Sequence, residues 1–217
     1  MIRLDRNARL LAIGFAAMAG MVDAIGFLAS GGFFLSFMSG NSTRFSVGVV
    51  DGAPYVVTVV ALLASFVAGV IAGSLIGRHK QDDHVKRQML ILVIIAGALF
   101  AAPLIAGAGF LIAALCIAAL CMGLENTLFE RDGSVSFGLT YMTGALVKIG
   151  QGLATLISGG ARFDWVPYML LWLGLVTGAA VGAALYGTFG IISLWVPATY
   201  SAILAVTLRF SGRTTKP

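Results

Sequence analysis

Hydrophobic positions in this chain run in long stretches, and polar positions fall in short clusters between them. Stretches long enough to cross roughly 30 Å of hydrocarbon as helices occur at Leu10 to Ser30, Tyr55 to Ile76, Met89 to Ile105, Phe110 to Phe129, Val166 to Gly187 and Gly190 to Leu208. Two more, Phe33 to Val50 and Phe137 to Ser158, are apolar but broken by small hydrogen-bonding residues, and each carries a cation. The pattern predicts an all-α polytopic membrane protein with about six transmembrane helices and two re-entrant or broken segments.

The two broken stretches share a phrase. Phe33, Ser36, Phe37, Met38, Ser39, Gly40, Arg44 and Gly48 recur by type as Phe137, Thr140, Tyr141, Met142, Thr143, Gly144, Lys148 and Gly152. Each is followed by a glycine ladder, Gly69, Gly73, Gly77 in one half and Gly174, Gly178, Gly182 in the other. Shared spacing of unusual residues points to an internal duplication, with residues 1–105 as the first repeat, 106–217 as the second, and one membrane domain overall. In an apolar chain, a duplicated unit with a cation in each copy is a usual ground plan of a small transport protein.

Composition agrees with the lipid reading: 59% apolar residues and a mean hydropathy of +0.98 exclude an ordinary soluble domain. The formal charge of +5 could suggest a nucleic-acid partner, but the cations sit at membrane edges. Arg3, Arg6 and Arg9 lie at the start, Arg78, Lys80, Lys86 and Arg87 in the polar loop, and Arg209, Arg213 and Lys216 at the end. Under the positive-inside rule all three regions face the cytoplasm, so an even number of crossings separates each pair. Two crossings before the loop and four after satisfy the rule when the broken stretches re-enter, and the second repeat is then inverted relative to the first; if both stretches cross fully, the chain has eight helices in two parallel copies of four. Met1 to Gly20 has the form of a signal peptide, but apolar sequence continues, and it is read as the first membrane helix.

The candidate binding residues are Asp23, Asn41, Arg44, Glu125, Asn126 and Lys148, with Gly40 and Gly144 as backbone bends. Asn41, Ser42 or Thr43 could cap the half-helix that follows the bend, directing its positive end at a solute. A cation at membrane depth needs a partner or water, and a crossed pairing of Asp23 with Lys148 and of Glu125 with Arg44 would supply one. The bland alternative has both cations snorkelling to headgroups. Asp23, far inside an apolar helix, is also a candidate for proton or cation coupling. The ladders line one helix face each and would pack inside the chain or form a homodimer. No catalytic set or phosphate loop can be assembled, so an enzyme is not expected. His79, Asp82, Asp83 and His84 have ligand types among repelling cations, and Cys116 and Cys121 lie on different faces of one helix. No metal or cofactor is expected.

Gly20 with Asp23, Ala24 and Phe27, then Gly32-Phe33, Met38-Ser39-Gly40-Asn41, Met122-Gly123-Leu124-Glu125-Asn126 and Thr140-Tyr141-Met142-Thr143-Gly144 closely resemble the YoaK-like family of small bacterial inner-membrane proteins. The resemblance implies an integral membrane protein of about six helices without established function. It also implies glutamine where Glu125 stands, so that acid departs from the family pattern.

The sequence thus predicts a transporter or channel in the bacterial inner membrane, with both termini cytoplasmic. It would carry a small solute, with a small anion or carboxylate suggested by the facing cations. A non-transporting scaffold or regulator is the alternative. The topology is testable with a cysteine at Gln81: an impermeant thiol reagent should leave it unmodified in intact cells and label it after lysis, and labelling from outside would overturn the inverted arrangement.

Overall fold

A computed structural model describes residues 6–79, 84–128, 130–131, 134–135, 142–160 and 162–211. Among these are α1 (Arg6–Ser30), α2 (Met38–Asp51), α3 (Val56–His79), α4 (His84–Gly107), α5 (Leu111–Asn126), the short antiparallel pair β1 (Glu130–Arg131) and β2 (Ser134–Val135), α6 (Met142–Ile157), α7 (Val166–Phe189), a 3-10 turn (Gly190–Leu194) and α8 (Trp195–Ser211). Helices coincide with the apolar stretches because a backbone in lipid satisfies its own polar groups only as helix or closed barrel. Four stretches have the length and hydropathy to cross a membrane, Arg9–Ser30, Val56–Arg78, His84–Gly107 and Val166–Leu208, and the chain is an all-helical polytopic membrane protein.

The last stretch holds 43 residues. A straight helix of that size would reach about 65 Å, twice the hydrocarbon thickness, so it turns at the 3-10 segment, where Gly190 has φ 58 and starts the return. The most extensive packing joins α1 to α7, α3 to α5 and α4 to α8, with α4 also lying along α5.

Contacts between these pairs fix their directions. Gly174, Gly178 and Gly182 meet Ile13, Ala17 and Met21 in order, so α1 and α7 are parallel. Gly69 meets Leu120 and Gly73 meets Thr127, so α3 and α5 are parallel as well. Trp195 donates to the Phe100 carbonyl and Ser201 to that of Leu92, which sets α8 antiparallel to α4. Cys121 faces Ile95 while Gln88 reaches Leu128, which sets α5 antiparallel to α4. With α7 and α8 opposed across the turn, α1, α4 and α7 point one way and α3, α5 and α8 the other. The short helices α2 and α6 lie between opposed neighbours, α2 between α1 and α3 and α6 between α5 and α7.

The ladders face helices of the other half rather than each other. A Cβ on Gly178 would lie 2.0 Å from the Ala17 carbonyl oxygen, and one on Gly69 would lie 2.1 Å from that of Leu120. Gly20 and Gly123 return the contact from α1 and α5, against Leu175 and Phe66. Backbones this close gain dispersion along the whole seam, which is how helices associate where lipid removes the hydrophobic drive. The ladder faces offered for a homodimer are therefore filled within one chain. Gly77, the last rung on α3, meets the Arg87 guanidinium instead.

Several boundaries differ from those read in the sequence. Arg87, assigned to the polar loop, is 6% exposed inside the first turn of α4, because its guanidinium reaches the Thr127 carbonyl at the end of α5. Asp82 and Asp83 lie outside the described residues. The predicted helix from Gly190 starts with the 3-10 turn, and α8 continues to Ser211.

The seam predicts a contrast between two glycines. Gly178→Ala should destabilise the detergent-purified protein by about 1–3 kcal/mol, as overpacking does. Gly97→Ala, on α4 where nothing lies within 4 Å, should be neutral or slightly stabilising in the same thermal melt.

Candidate functional site

The break in the first apolar pair falls earlier than the sequence suggested. α1 ends at Ser30, and Gly31 (φ 72) and Gly32 (φ 122) reverse the chain. The Ser30 hydroxyl fastens the reversal, accepting from the Phe33 amide at 2.8 Å and donating to the Phe33 carbonyl at 3.1 Å. The chain then runs back beside α1 in non-helical conformation. The amides of Leu35 and Ser36 donate to Asp23 Oδ1 at 2.6 and 2.8 Å. Asp23 stands two turns before the end of α1, so the segment descends about 10 Å before Met38 starts α2 on the way back.

Three side chains complete the backbone of this segment. Asp23 receives Leu35 and Ser36, and it stands where a cap would, since Phe37 at the N-cap position of α2 offers no side-chain bond. Asn41, fully buried, pairs with both polar groups of Phe34: Oδ1 accepts from its amide at 3.0 Å and Nδ2 donates to its carbonyl at 2.7 Å. Arg44 donates to the Gly32 carbonyl and lies over the Phe33 ring, 4.8 Å from its centre. A Cβ on Gly32 would strike that guanidinium at 2.6 Å, so glycine is required there for space as well as for φ.

Other expectations need correction. Gly40 lies within the first turn of α2 and bends nothing: its missing Cβ leaves room for the Phe37 ring, 2.5 Å from where that atom would be. Ser42 and Thr43 donate to the carbonyls of Met38 and Ser39, one turn back, and cap nothing. Gly144 sits inside α6 with nothing within 4 Å. Lys148 is exposed on α6, and no hydrogen bond or ion pair joins it to the described residues. The crossed pairing is absent too, because Arg44 faces a carbonyl and a ring rather than Glu125. Phe137, Thr140 and Tyr141 of the second phrase lie outside the described residues.

A cavity of about 480 Å³ opens beside the segment. Asp23 and Ser36 are its polar members. Phe27, Phe34, Phe37, Leu175 and Met142 supply apolar wall from α1, the descending segment, α7 and α6, while Ala179 and Ala183 leave the α7 side open. Neither Arg44 nor Lys148 lines it. Glu125, near the end of α5 and not among the lining residues, is fully buried, with neither carboxylate oxygen hydrogen-bonded. Asp23 is close enough to act on Glu125 by its charge, and Glu125 acts likewise on the Tyr200 hydroxyl of α8. Asn126 donates to the Met122 carbonyl at 2.9 Å, inside its own helix. Phe34 and Tyr200 carry weight that the sequence did not signal, since one apolar aromatic among many has no distinguishing spacing.

The apolar helical bundle, with a non-helical break between α1 and α2 and an open cavity beside it, defines an integral membrane protein. The chain matches the model of a protein family of unknown function, DUF1275, over residues 11–207 and belongs to that family. It is 37% identical over 198 residues to UPF0700 transmembrane protein RA0705 of Rhizobium meliloti (strain 1021), covering 91% of this chain and 83% of that protein. No solved structure matches it.

The staple on the descending segment is testable at Asp23. Asp23→Leu strands the Leu35 and Ser36 amides and should cost about 1–3 kcal/mol for each buried donor left without an acceptor. Asp23→Asn keeps an acceptor oxygen and should melt within about 1 kcal/mol of the parent protein.

Proposed function

We propose that the protein moves a small solute across the bacterial inner membrane through the cavity at Asp23, between two inverted copies of a three-helix unit, with both termini in the cytoplasm. The observation that carries this reading is non-helical backbone lying beside α1 and lining a cavity. Such backbone is tolerated at membrane depth only against protein or water, and half-helices that start there are how transporters build solute sites. The duplication draws support from the pairings: α1 packs on α7 as α5 packs on α3, and α2 and α6 hold equivalent places.

The solute class follows from the cavity wall. An anion was favoured by two facing cations, but Arg44 is engaged with Gly32 and Lys148 is exposed, while the charged group lining the cavity is a carboxylate. A small neutral or cationic solute with an apolar body fits aromatic walls around one acid. The reading is of a transporter or channel and not of an enzyme.

Flux into proteoliposomes tests it, with a panel of small amines, neutral solutes and carboxylates. Uptake of an amine or neutral solute is expected. Ala183→Trp, at the open side of the cavity, should reduce it at least tenfold without lowering the melting temperature. Absence of flux for every solute would favour the scaffold reading, for which the bonds of Asn41 and Arg44 to backbone would be sufficient purpose.

A further inference from the structure

Two carboxyl groups, Asp23 on α1 and Glu125 on α5, lie within electrostatic range of each other, and their surroundings differ sharply. Asp23 Oδ1 accepts two amide hydrogens, from Leu35 at 2.6 Å and Ser36 at 2.8 Å, an arrangement that suits an anion. Glu125 has no exposed surface and no donor on either oxygen. Among the described residues, no ion pair joins it to a countercharge. α1 presents Asp23, a like charge, and α8 presents the Tyr200 hydroxyl. α3 presents its glycine face, with its one arginine, Arg78, exposed. On α4 Arg87 donates to the Thr127 carbonyl, and Cys121 lies one turn back on α5 itself. An ionised carboxylate in that position would lack both solvent and a partner while facing a second negative charge.

We propose that Glu125 is a proton-binding site inside the membrane: it holds a proton in the conformation described here, Asp23 remains the anion, and the pair exchanges that proton when the bundle opens to water. The chemistry is protonation alone, a carboxylate plus a proton giving a carboxylic acid, with no redox partner. On the transport reading, which this step rests on for its purpose but not for its occurrence, the proton is the coupling ion for the solute in the Asp23 cavity. The two acids then divide the work, one organising the descending segment and the other carrying charge across it.

The chain contains two glutamates, Glu125 and Glu130, which makes the test direct. Protein in lipid bilayers, labelled with ¹³C at glutamate side-chain carboxyls, should give two carboxyl resonances in solid-state NMR at neutral pH. One is expected at the position of a protonated acid and should vanish in Glu125→Gln. Both resonances at the carboxylate position, or a protonated signal that survives Glu125→Gln and disappears in Glu130→Gln, would overturn the proposal. If Glu125→Gln folds poorly, Glu130→Gln makes the assignment: loss of the carboxylate resonance there leaves the protonated one to Glu125, and loss of the protonated one overturns the proposal. The spectrum needs no transported solute, so absent flux would sink the transport reading and leave this result standing. Where flux is found, a tenfold proton gradient should accelerate it in the parent protein and leave Glu125→Gln at its gradient-free rate, and equal acceleration in both would exclude Glu125 as the coupling site.

Discussion

The amide bonds of Leu35 and Ser36 to Asp23 are what the rest of the site depends on. Extended backbone inside a bilayer exposes amides and carbonyls that water cannot reach, and each left unpaired costs several kcal/mol. Here consecutive amides are taken up by side chains from two helices, those of Leu35 and Ser36 by Asp23 on α1 and that of Phe34 by Asn41 on α2. Arg44 closes the upstream carbonyl of Gly32. With these staples in place the chain can leave α1, descend beside it and return as α2, and the cavity lies beside that descent, against α6 and α7.

The frame around this segment is built on glycine seams. α1 and α5 lie against α7 and α3 at backbone contact, through Gly174, Gly178 and Gly182 on one seam and Gly69 and Gly73 on the other. Rigid seams place Asp23 and Glu125, one on each of those first helices, in electrostatic range of each other. Their environments then set them apart: Asp23 is ringed by donors and borders a cavity, whereas Glu125 is enclosed.

Much of this was legible in the sequence, and the parts that were not share a cause. Apolar length located α1, α3, α4, α5, α7 and α8, because lipid thickness and backbone satisfaction leave little freedom. Asp23, Asn41 and Arg44 stood out as polar residues in apolar surroundings, and all three converge on the descending segment. Their partners were misjudged. Charge pattern alone pairs acid with base, but a non-helical segment presents carbonyls and amides, and those take the side chains first. The bend was placed at Gly40 because the repeated phrase surrounds it, although Gly31 and Gly32 carry the positive φ. Arg87 looked like a loop cation because apolar runs reveal where helices become greasy, not where they begin. The isolation of Glu125 could not be foreseen, since it depends on which faces of α1, α4 and α8 surround it.

The central claim is that the segment before α2 lies within the membrane and borders a wet cavity. Ser36, 4% exposed and beside Asp23, is the position to probe, as a cysteine in a chain carrying Cys116→Ala and Cys121→Ala. A small water-soluble thiol reagent should modify it in reconstituted vesicles, and a lipid-confined quencher should report its depth as below the headgroups. A cysteine that ignores the water-soluble reagent, or that sits at headgroup level, would contradict the account.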